Sequence, residues 1–260
     1  MTNDLVSIIT PTYNCARFIE ETIRSVQAQT YTHWELIISD DCSTDNTREV
    51  IAPYLATDSR IKYICNEQNS GAAVTRNNAL RQARGRWIAF LDSDDLWLPE
   101  KLERQIDFME RNNYHFSYHE YVEVTEDGHE CGRYVSGIGR VGVFGMYACC
   151  WPGCLSVMYD AQKVGLIQIN DVKKNNDTAM WLKVIRKSDC YLLKECLARY
   201  RRRKGSITPP GVWARILWHY RLFSIAEEMN PIMAWVCTCI NIIGNFYKKL
   251  FFVKKYEVKK

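Results

Sequence analysis

Four short apolar runs recur in the first half of the chain, each followed by a segment of helical periodicity. This alternation constrains the fold more than any other feature. Leu5 to Thr10 (LVSIIT), Trp34 to Ser39 (WELIIS), Ile61 to Cys65 and Trp87 to Leu91 (WIAFL) read as buried strands. Phe18, Ile19, Ile23 and Val26 recur at helical spacing behind Asn14, which can cap them. Thr44 to Leu55 reads as a helix with Thr44 or Asp45 near its start and Pro53 near its end; Ala72 to Ala83 reads as one closed by Gly85. Pro99 starts another, running to about Arg111. Such alternation demands an α/β fold with a mostly parallel central sheet flanked by helices on both faces. Right-handed crossovers then put every loop after a strand on one edge, where such sheets bind ligands. The polar clusters Pro11 to Asn14, Asp40 to Asp45 and Asp92 to Asp95 all follow strands.

The second half is less regular. Tyr118 to Thr125 and Glu130 to Val135, joined through Glu126-Asp127-Gly128, suggest a hairpin. Trp151 to Tyr159 suggests a strand behind a tight turn, and Asp177 to Lys187 a helix with Met180, Trp181, Val184 and Ile185 on one face. No repeat or low-complexity linker interrupts the chain. The expected organisation is one domain over 1–208, with halves 5–115 and 116–208, and a helical, basic tail over 209–260.

A chain of 260 residues can bury a sizeable core without disulfides. Its net charge of +4 is small, but basic residues gather at Arg199 to Lys204 and after Lys248, which points to local partners. No nucleic-acid-binding module is legible. Neither Cys149, Cys150 and Cys154 nor Cys237 and Cys239 has the paired spacing of a zinc site, so the eleven cysteines read as free thiols of a reducing cytoplasm. Met1 to Asp4 leads at once into a strand with no signal-peptide pattern, so the chemistry is expected to face the cytoplasm. In the tail, Ile232 to Ile243 is strongly apolar and Lys248, Lys249, Lys254, Lys255, Lys259 and Lys260 follow. Asn241, Asn245 and Lys248 interrupt the ~20 apolar residues a membrane span needs. The tail reads as an interfacial helix whose basic flank meets anionic lipid, the alternative being a packing helix with a solvated charged end.

Three clusters can carry chemistry. Asp92 and Asp94, one residue apart in a loop after a strand, can both reach one hard cation, Mg²⁺ or Mn²⁺, which keeps positions open for phosphate oxygens; a polar turn is the plainer alternative. Asp40-Asp41 ends a strand where a carboxylate commonly receives a base or ribose. If Thr44 or Asp45 caps the next helix, this pair has no evident structural task. In Asn69-Ser70-Gly71-Ala72-Ala73-Val74-Thr75-Arg76 the glycine permits close backbone approach, and Arg76, about one turn into the helix, can reach a phosphate.

Together these residues resemble a known family. Thr10-Pro11-Thr12-Tyr13-Asn14, Asp40-Asp41-Cys42-Ser43-Thr44-Asp45, Asn69-Ser70-Gly71, Arg76-Asn77 and Phe90-Leu91-Asp92-Ser93-Asp94-Asp95 follow the order and spacing of family 2 glycosyltransferases. Leu96-Trp97-Leu98-Pro99-Glu100-Lys101-Leu102 looks like the branch with teichuronic acid and capsular polysaccharide transferases. The second half matches more loosely, through Gly153 to Met158, Asp177 with Trp181-Leu182, and Tyr200-Arg201 with Ser206-Ile207. The resemblance implies a GT-A fold, with 5–115 as the nucleotide-binding half and 116–208 as the acceptor half. It implies inverting transfer of a single sugar from a nucleotide-sugar donor, of the UDP kind, to a hydroxyl of a cell-surface polysaccharide precursor: capsule, O-antigen or teichuronic-type. Pro11, Tyr13 and Asp41 would hold the nucleobase, Asp41 on a uracil nitrogen, with Thr10, Asn69, Gly71 and Ser93 in the same nucleotide-sugar site. Arg76 would lie near the donor phosphates or base, Asp92 on the ribose, and Asp94, with Asp92, on Mg²⁺ or Mn²⁺. Asp177 matches the family's base and Asp171 is a second candidate; Asn176 stands where many relatives carry an acid or glutamine. A polyprenyl-linked acceptor and the cytoplasmic face of the inner membrane would suit the tail.

Other classes predict other sequences. A sugar nucleotidyltransferase normally opens with a glycine-rich loop after the first strand, where this chain has Pro11-Thr12-Tyr13-Asn14. A non-catalytic nucleotide-sugar-binding module should have lost Asp94 or Asp177. A processive synthase usually carries Q/R-x-x-R-W and several spans, and Arg201-Arg202-Arg203 is not that motif.

Overall fold

The computed structural model describes residues 2–170, 172, 174–203 and 211–257. The chain opens with β1 (Thr2–Thr12), α1 (Ile19–Gln27), β2 (Trp34–Asp40), α2 (Thr47–Thr57), β3 (Ile61–Cys65), α3 (Ala72–Gln82) and β4 (Gly85–Phe90). β5 (Leu96–Trp97), α4 (Lys101–Asn112), β6 (Phe116–Val124), β7 (Glu130–Val135), β8 (Arg140–Val141) and α5 (Val143–Ala148) follow. A 3₁₀ turn at Cys154–Ser156 precedes β9 (Met158–Asp160), α6 (Ala161–Val164), α7 (Asn176–Ile185) and β10 (Cys190–Arg201). Last come α8 (Val212–Arg221), a π-helical turn (Leu222–Ala226), α9 (Pro231–Phe251) and β11 (Val253–Lys255).

The sheet runs β11-β7-β6-β9-β4-β1-β2-β3. β4, β1, β2 and β3 are parallel, as their helical crossovers require. The other end is antiparallel through β9, β6, β7 and β11, and β10 lies parallel to β6. The period-2 alternation of each central strand feeds two cores. Ile9, Ile37, Ile88 and Phe90 join the face covered by α3, α5, α7 and α9. Val6, Ile8, Leu36, Ile38, Trp87, Ala89 and Leu91 join the face under α1, α2 and α4. Helices therefore cover both faces, and the loops after β1, β2, β3 and β4 share one rim.

Local details depart from the sequence reading for identifiable reasons. Asn14 does not cap α1, which starts at Ile19 behind Phe18 without a side-chain cap. Asn14 is left-handed (φ 48°), and its Oδ1 accepts the Thr44 N–H at 2.8 Å, tying two rim loops together. The helix expected from Thr44 starts at Thr47, because the Asp45 carboxylate accepts the Ala16 N–H at 3.1 Å and the Thr47 N–H at 3.1 Å. Gly85 does not close α3; it begins β4, where a β-carbon would lie 2.4 Å from the Leu5 carbonyl oxygen. Of the run Trp151 to Tyr159, only Met158 and Tyr159 are strand, because the Gly153 carbonyl accepts the Ser156 N–H and turns the chain. The tail is not wholly helical: β11 pairs with β7, and α9 packs against α5 and α8.

One buried cluster costs stability. Lys101 and His119 are both buried, and neither Lys101 Nζ nor His119 Nε2 has a hydrogen-bond partner among the described residues. Burial pushes the Lys101 amine well below its usual range, although it lies 3.8 Å over the Trp97 ring. Burial, helped by the Lys101 charge, pushes His119 from 6.5 to about 3. With the folded value below the unfolded one, acid protonates the unfolded chain first, so stability falls as pH drops from 6.5 toward 3. His119→Gln should flatten the decline of the urea midpoint below pH 6.5; an unchanged slope would place that proton uptake elsewhere.

Candidate active site

The rim is assembled from loops that bind one another before any ligand is considered. After β2, both carboxylates find partners, against the expectation that Asp40-Asp41 lacks a structural task. Asp40 accepts the Ser43 N–H at 2.9 Å and the Tyr63 hydroxyl at 2.7 Å. Asp41 Oδ1 accepts from the Ser70 N–H at 2.7 Å and Asn66 Nδ2 at 2.8 Å, and Oδ2 accepts from the Gly71 N–H at 2.8 Å. A carboxylate has about four acceptor positions, so one on Oδ2 remains for a ligand. Gly71 makes this clamp possible, since φ 86° and ψ 161° belong to a region essentially reserved for glycine. Thr10 is buried, its hydroxyl without a partner among the described residues, Pro11 is half-buried at the end of β1, and Tyr13 and Asn69 are exposed on the rim loops.

The loop after β4 concentrates negative charge. Asp92 and Asp94 are half-buried, and Ser93 and Asp95 are buried. Burial, then Asp92, raises Asp94 above the ordinary carboxylate range in spite of Arg203. Burial, then Asp94 and Asp92, raises Asp95 further. Two arginines from the end of β10 oppose this charge. Arg201 is buried: its N–H donates to Asp95 Oδ1 at 2.8 Å, and its side chain donates to the Asp94 carbonyl at 2.9 Å and Glu21 at 2.5 Å. Arg203 Nε lies 2.7 Å from Asp94 Oδ2.

Arg76 joins this loop to the second half of the chain. It is buried on α3; Nη2 donates to Asp92 Oδ1 at 2.5 Å and Nη1 donates to Asn176 Oδ1 at the start of α7. Burial alone would lower its pKa, but Asp92, and with it Cys154 and Asp177, outweighs that and raises it. The Cys154 thiol, pushed up by burial and then by Asp92, also feels Arg76, Asp177 and Asp95. Asp177 is half-buried in the first turn of α7, where its Oδ1 accepts the Thr178 N–H at 2.7 Å. Asp92, Arg76 and Asp177 thus occupy one neighbourhood although 101 positions separate the last two.

The donor set suits a hard divalent cation: two half-buried carboxylates one residue apart, with Asp94 raised by burial and then by Asp92. Among the described residues no three His, Cys, Asp or Glu side chains surround one point. A cation that takes its remaining oxygens from a phosphate and water needs no third protein ligand.

The chain matches the family model for glycosyl transferase family 2 over residues 7–144. It is 43% identical over 240 residues, 91% of this chain and 95% of its counterpart, to a Bacillus subtilis protein assigned to teichuronic acid biosynthesis as the glycosyltransferase TuaG. The chain belongs to glycosyl transferase family 2. It is 39% identical, over 80% of this chain and 81% of the relative, to the UDP-Glc:alpha-D-GlcNAc-diphosphoundecaprenol beta-1,3-glucosyltransferase WfgD of Escherichia coli. The crystal structure of S. aureus TarS 1–349 in complex with UDP-GlcNAc superposes with a TM-score of 0.72 at 20% identity, covering 94% of this chain and 73% of that one, which shows a shared fold. This family 2 member is therefore a glycosyltransferase of the GT-A fold.

Sequence reasoning named the carboxylates and Arg76 but missed the arginines that brace Asp94 and Asp95. The basic run at Arg199 to Lys204 read as facing a partner, whereas Arg201 and Arg203 turn inward; Lys204 lies outside the described residues. The clue was position: Arg201 ends a strand of which Leu197 and Ala198 are buried. Asp171, Ser206 and Ile207 also lie outside the described residues. Beyond its chain neighbours, no atom of the described residues comes within 4 Å of a β-carbon built on Gly71, so Gly71→Ala tests backbone strain. It should cost about 1–3 kcal/mol, loosen the Asp41 clamp and weaken nucleotide binding in calorimetry while the fold persists; unchanged binding would dissociate the clamp from the nucleotide.

Proposed function

We propose that this family 2 enzyme transfers one sugar, with inversion, from a UDP-sugar to a hydroxyl of a cell-surface polysaccharide precursor. Asp177 acts as base, Asp41 receives the nucleobase, and Asp92 and Asp94 hold Mg²⁺ or Mn²⁺ at the diphosphate. The observation that carries the reading is the Arg76 fork, which joins Asp92 to Asn176 and so brings the donor-side carboxylates beside the helix of Asp177. Donor and acceptor classes draw support from WfgD, whose name gives UDP-Glc and a diphosphoundecaprenol-linked acceptor. The UDP-GlcNAc bound to TarS is a further instance of a UDP-sugar on this fold. The Mn²⁺ in the GDP-Man complex of the Pyrobaculum calidifontis mannosyltransferase PcManGT, which has the same fold at TM-score 0.64 and 17% identity, supports the metal.

In this reading the acceptor oxygen attacks the anomeric carbon from the face opposite the diphosphate. A carbon–oxygen bond forms there as the bond to the diphosphate breaks, and the acceptor proton passes to Asp177. Asp177 Oδ1 is occupied by the Thr178 N–H, which leaves Oδ2 for the acceptor. Asp94 and Asp92 would hold the cation, which when bound would supply Lewis-acid stabilisation of the departing diphosphate. Thr10, Pro11, Tyr13, Asn69, Gly71 and Ser93 complete the nucleotide-sugar site around Asp41 and Arg76. Asp177→Asn, isosteric but unable to accept the proton, should reduce transfer by at least ~10²-fold while UDP affinity stays within about twofold. Turnover at the native rate would remove Asp177 from the role.

The tail supports work at the cytoplasmic face of a membrane. No helix among the described residues is long and apolar enough to cross one. α9 packs by one face, where Asn241 Nδ2 donates to the Tyr147 carbonyl at 2.8 Å and Lys248 Nζ to the Trp151 carbonyl at 2.7 Å. Its other face leaves Ile232, Trp235, Ile243, Phe246 and Leu250 exposed, with Lys249, Lys254 and Lys255 nearby. Truncation would remove packing as well as surface, so the test is Phe246→Ser with Leu250→Ser. These changes should release the protein from anionic vesicles in a sedimentation assay and leave UDP binding intact; undiminished sedimentation would refute the membrane role.

A further inference from the structure

Asn176 precedes the base, yet its side chain faces the donor side. It is buried, and its amide oxygen accepts from Arg76 Nη1, while Arg76 Nη2 reaches Asp92 Oδ1 at 2.5 Å. Arg76 Nε is also buried, without a partner among the described residues, so these two contacts are the described anchors of the guanidinium. One planar fork thereby spans three elements: the loop after β4, α3 and the first turn of α7.

We propose that Asn176 is a positioning residue for the transfer, acting through Arg76 rather than on the acceptor. Its neutral amide fixes the fork, so that the guanidinium charge stays committed to Asp92 and the start of α7 stays at a set distance from the donor. This rests on the family 2 transfer described above. An arginine carries one charge in a rigid planar array of donors. A carboxylate at position 176 would take a charge-assisted bond from the same guanidinium and compete with Asp92, whereas an amide accepts a neutral bond and leaves the charge where it is. The extra carboxylate would also add negative charge beside the diphosphate. Asparagine at this position therefore ties nucleotide affinity, a donor-side property, to a residue next to the acceptor-side base.

The test is calorimetric binding of UDP, with and without Mn²⁺, combined with a double-mutant cycle. Asn176→Asp, nearly isosteric, should weaken UDP binding without metal by about tenfold, the worth of one charge-assisted bond, and Mn²⁺ should recover part of that loss. Asn176→Ser should lower kcat more than it raises the donor KM, because the fork loses an anchor near Asp177. Arg76→Lys should reduce UDP affinity, and adding Asn176→Ser to it should bring less than about a twofold further loss, since Asn176 acts through Arg76. UDP affinity unaltered in Asn176→Asp, or effects of Arg76→Lys and Asn176→Ser that simply multiply, would overturn the proposal. Failure of the transfer reading itself is distinguishable: the native chain would then transfer no sugar from a UDP-sugar donor, whatever the UDP affinities of the position 176 variants.

Discussion

A buried guanidinium that pairs with a carboxylate in its own half of the chain and reaches into the other half is costly to build. Removing an arginine from water carries a penalty of several kcal/mol, and breaking such a pair from one side commonly costs about 3–5 kcal/mol. Arg76 meets that penalty with Asp92 and with the Asn176 amide. The rest of the rim follows from it. With Arg76 in place, the loop after β4 is held against α3 and α7 starts beside it, so that Asp177 enters the field of the donor-side charges. A glycosyltransferase needs this kind of constraint, because both substrates must meet at one carbon in a fixed attitude and misplacement by an ångström is expensive.

The carboxylates around Arg76 are held by a second set of cations. Arg201 donates from its side chain to the Asp94 backbone carbonyl and from its backbone N–H to the Asp95 carboxylate, and Arg203 binds the Asp94 carboxylate. Both come from the end of β10, which joins the sheet beside β6. The acidic loop of the first half is therefore braced by a strand of the second. Even so, Asp94 and Asp95 are raised above the ordinary carboxylate range, first by burial and then by the neighbouring carboxylates. Such a site gains by receiving positive charge, and a cation that arrives with the diphosphate would bring it together with the leaving group.

The first half was legible because its order is local. Period-2 strands, amphipathic helices and the acidic loops all follow from residues a few positions apart, and α/β topology then sends the loops to one rim. What escaped depends on contacts distant in sequence. Asn14 looked like a cap because its neighbours are helical, but its carbonyl oxygen serves Thr44, thirty positions on. Asp41 looked free, since nothing local reveals that the Ser70 and Gly71 amides close on it. Gly85 looked like a helix stop, but it is glycine because the Leu5 backbone runs beside it. The basic run before Lys204 looked like a surface because charge runs usually are; the pairing of β10 with β6, which sets Arg201 beside Val124, is not legible in the run itself. In the tail, apolar and polar positions mix because one face packs on α5 while the other is exposed.

The central claim is that the acidic side chains of the rim and the start of α7 converge on one donor. A crystal structure with UDP and Mn²⁺, phased at the manganese edge, tests it most directly. The account predicts one anomalous peak within ligand distance of Asp94 and of the diphosphate, the base on Asp41, and the Asp177 carboxylate across the same cleft. An anomalous peak away from Asp92 and Asp94, or a UDP bound out of reach of Asp177, would contradict it.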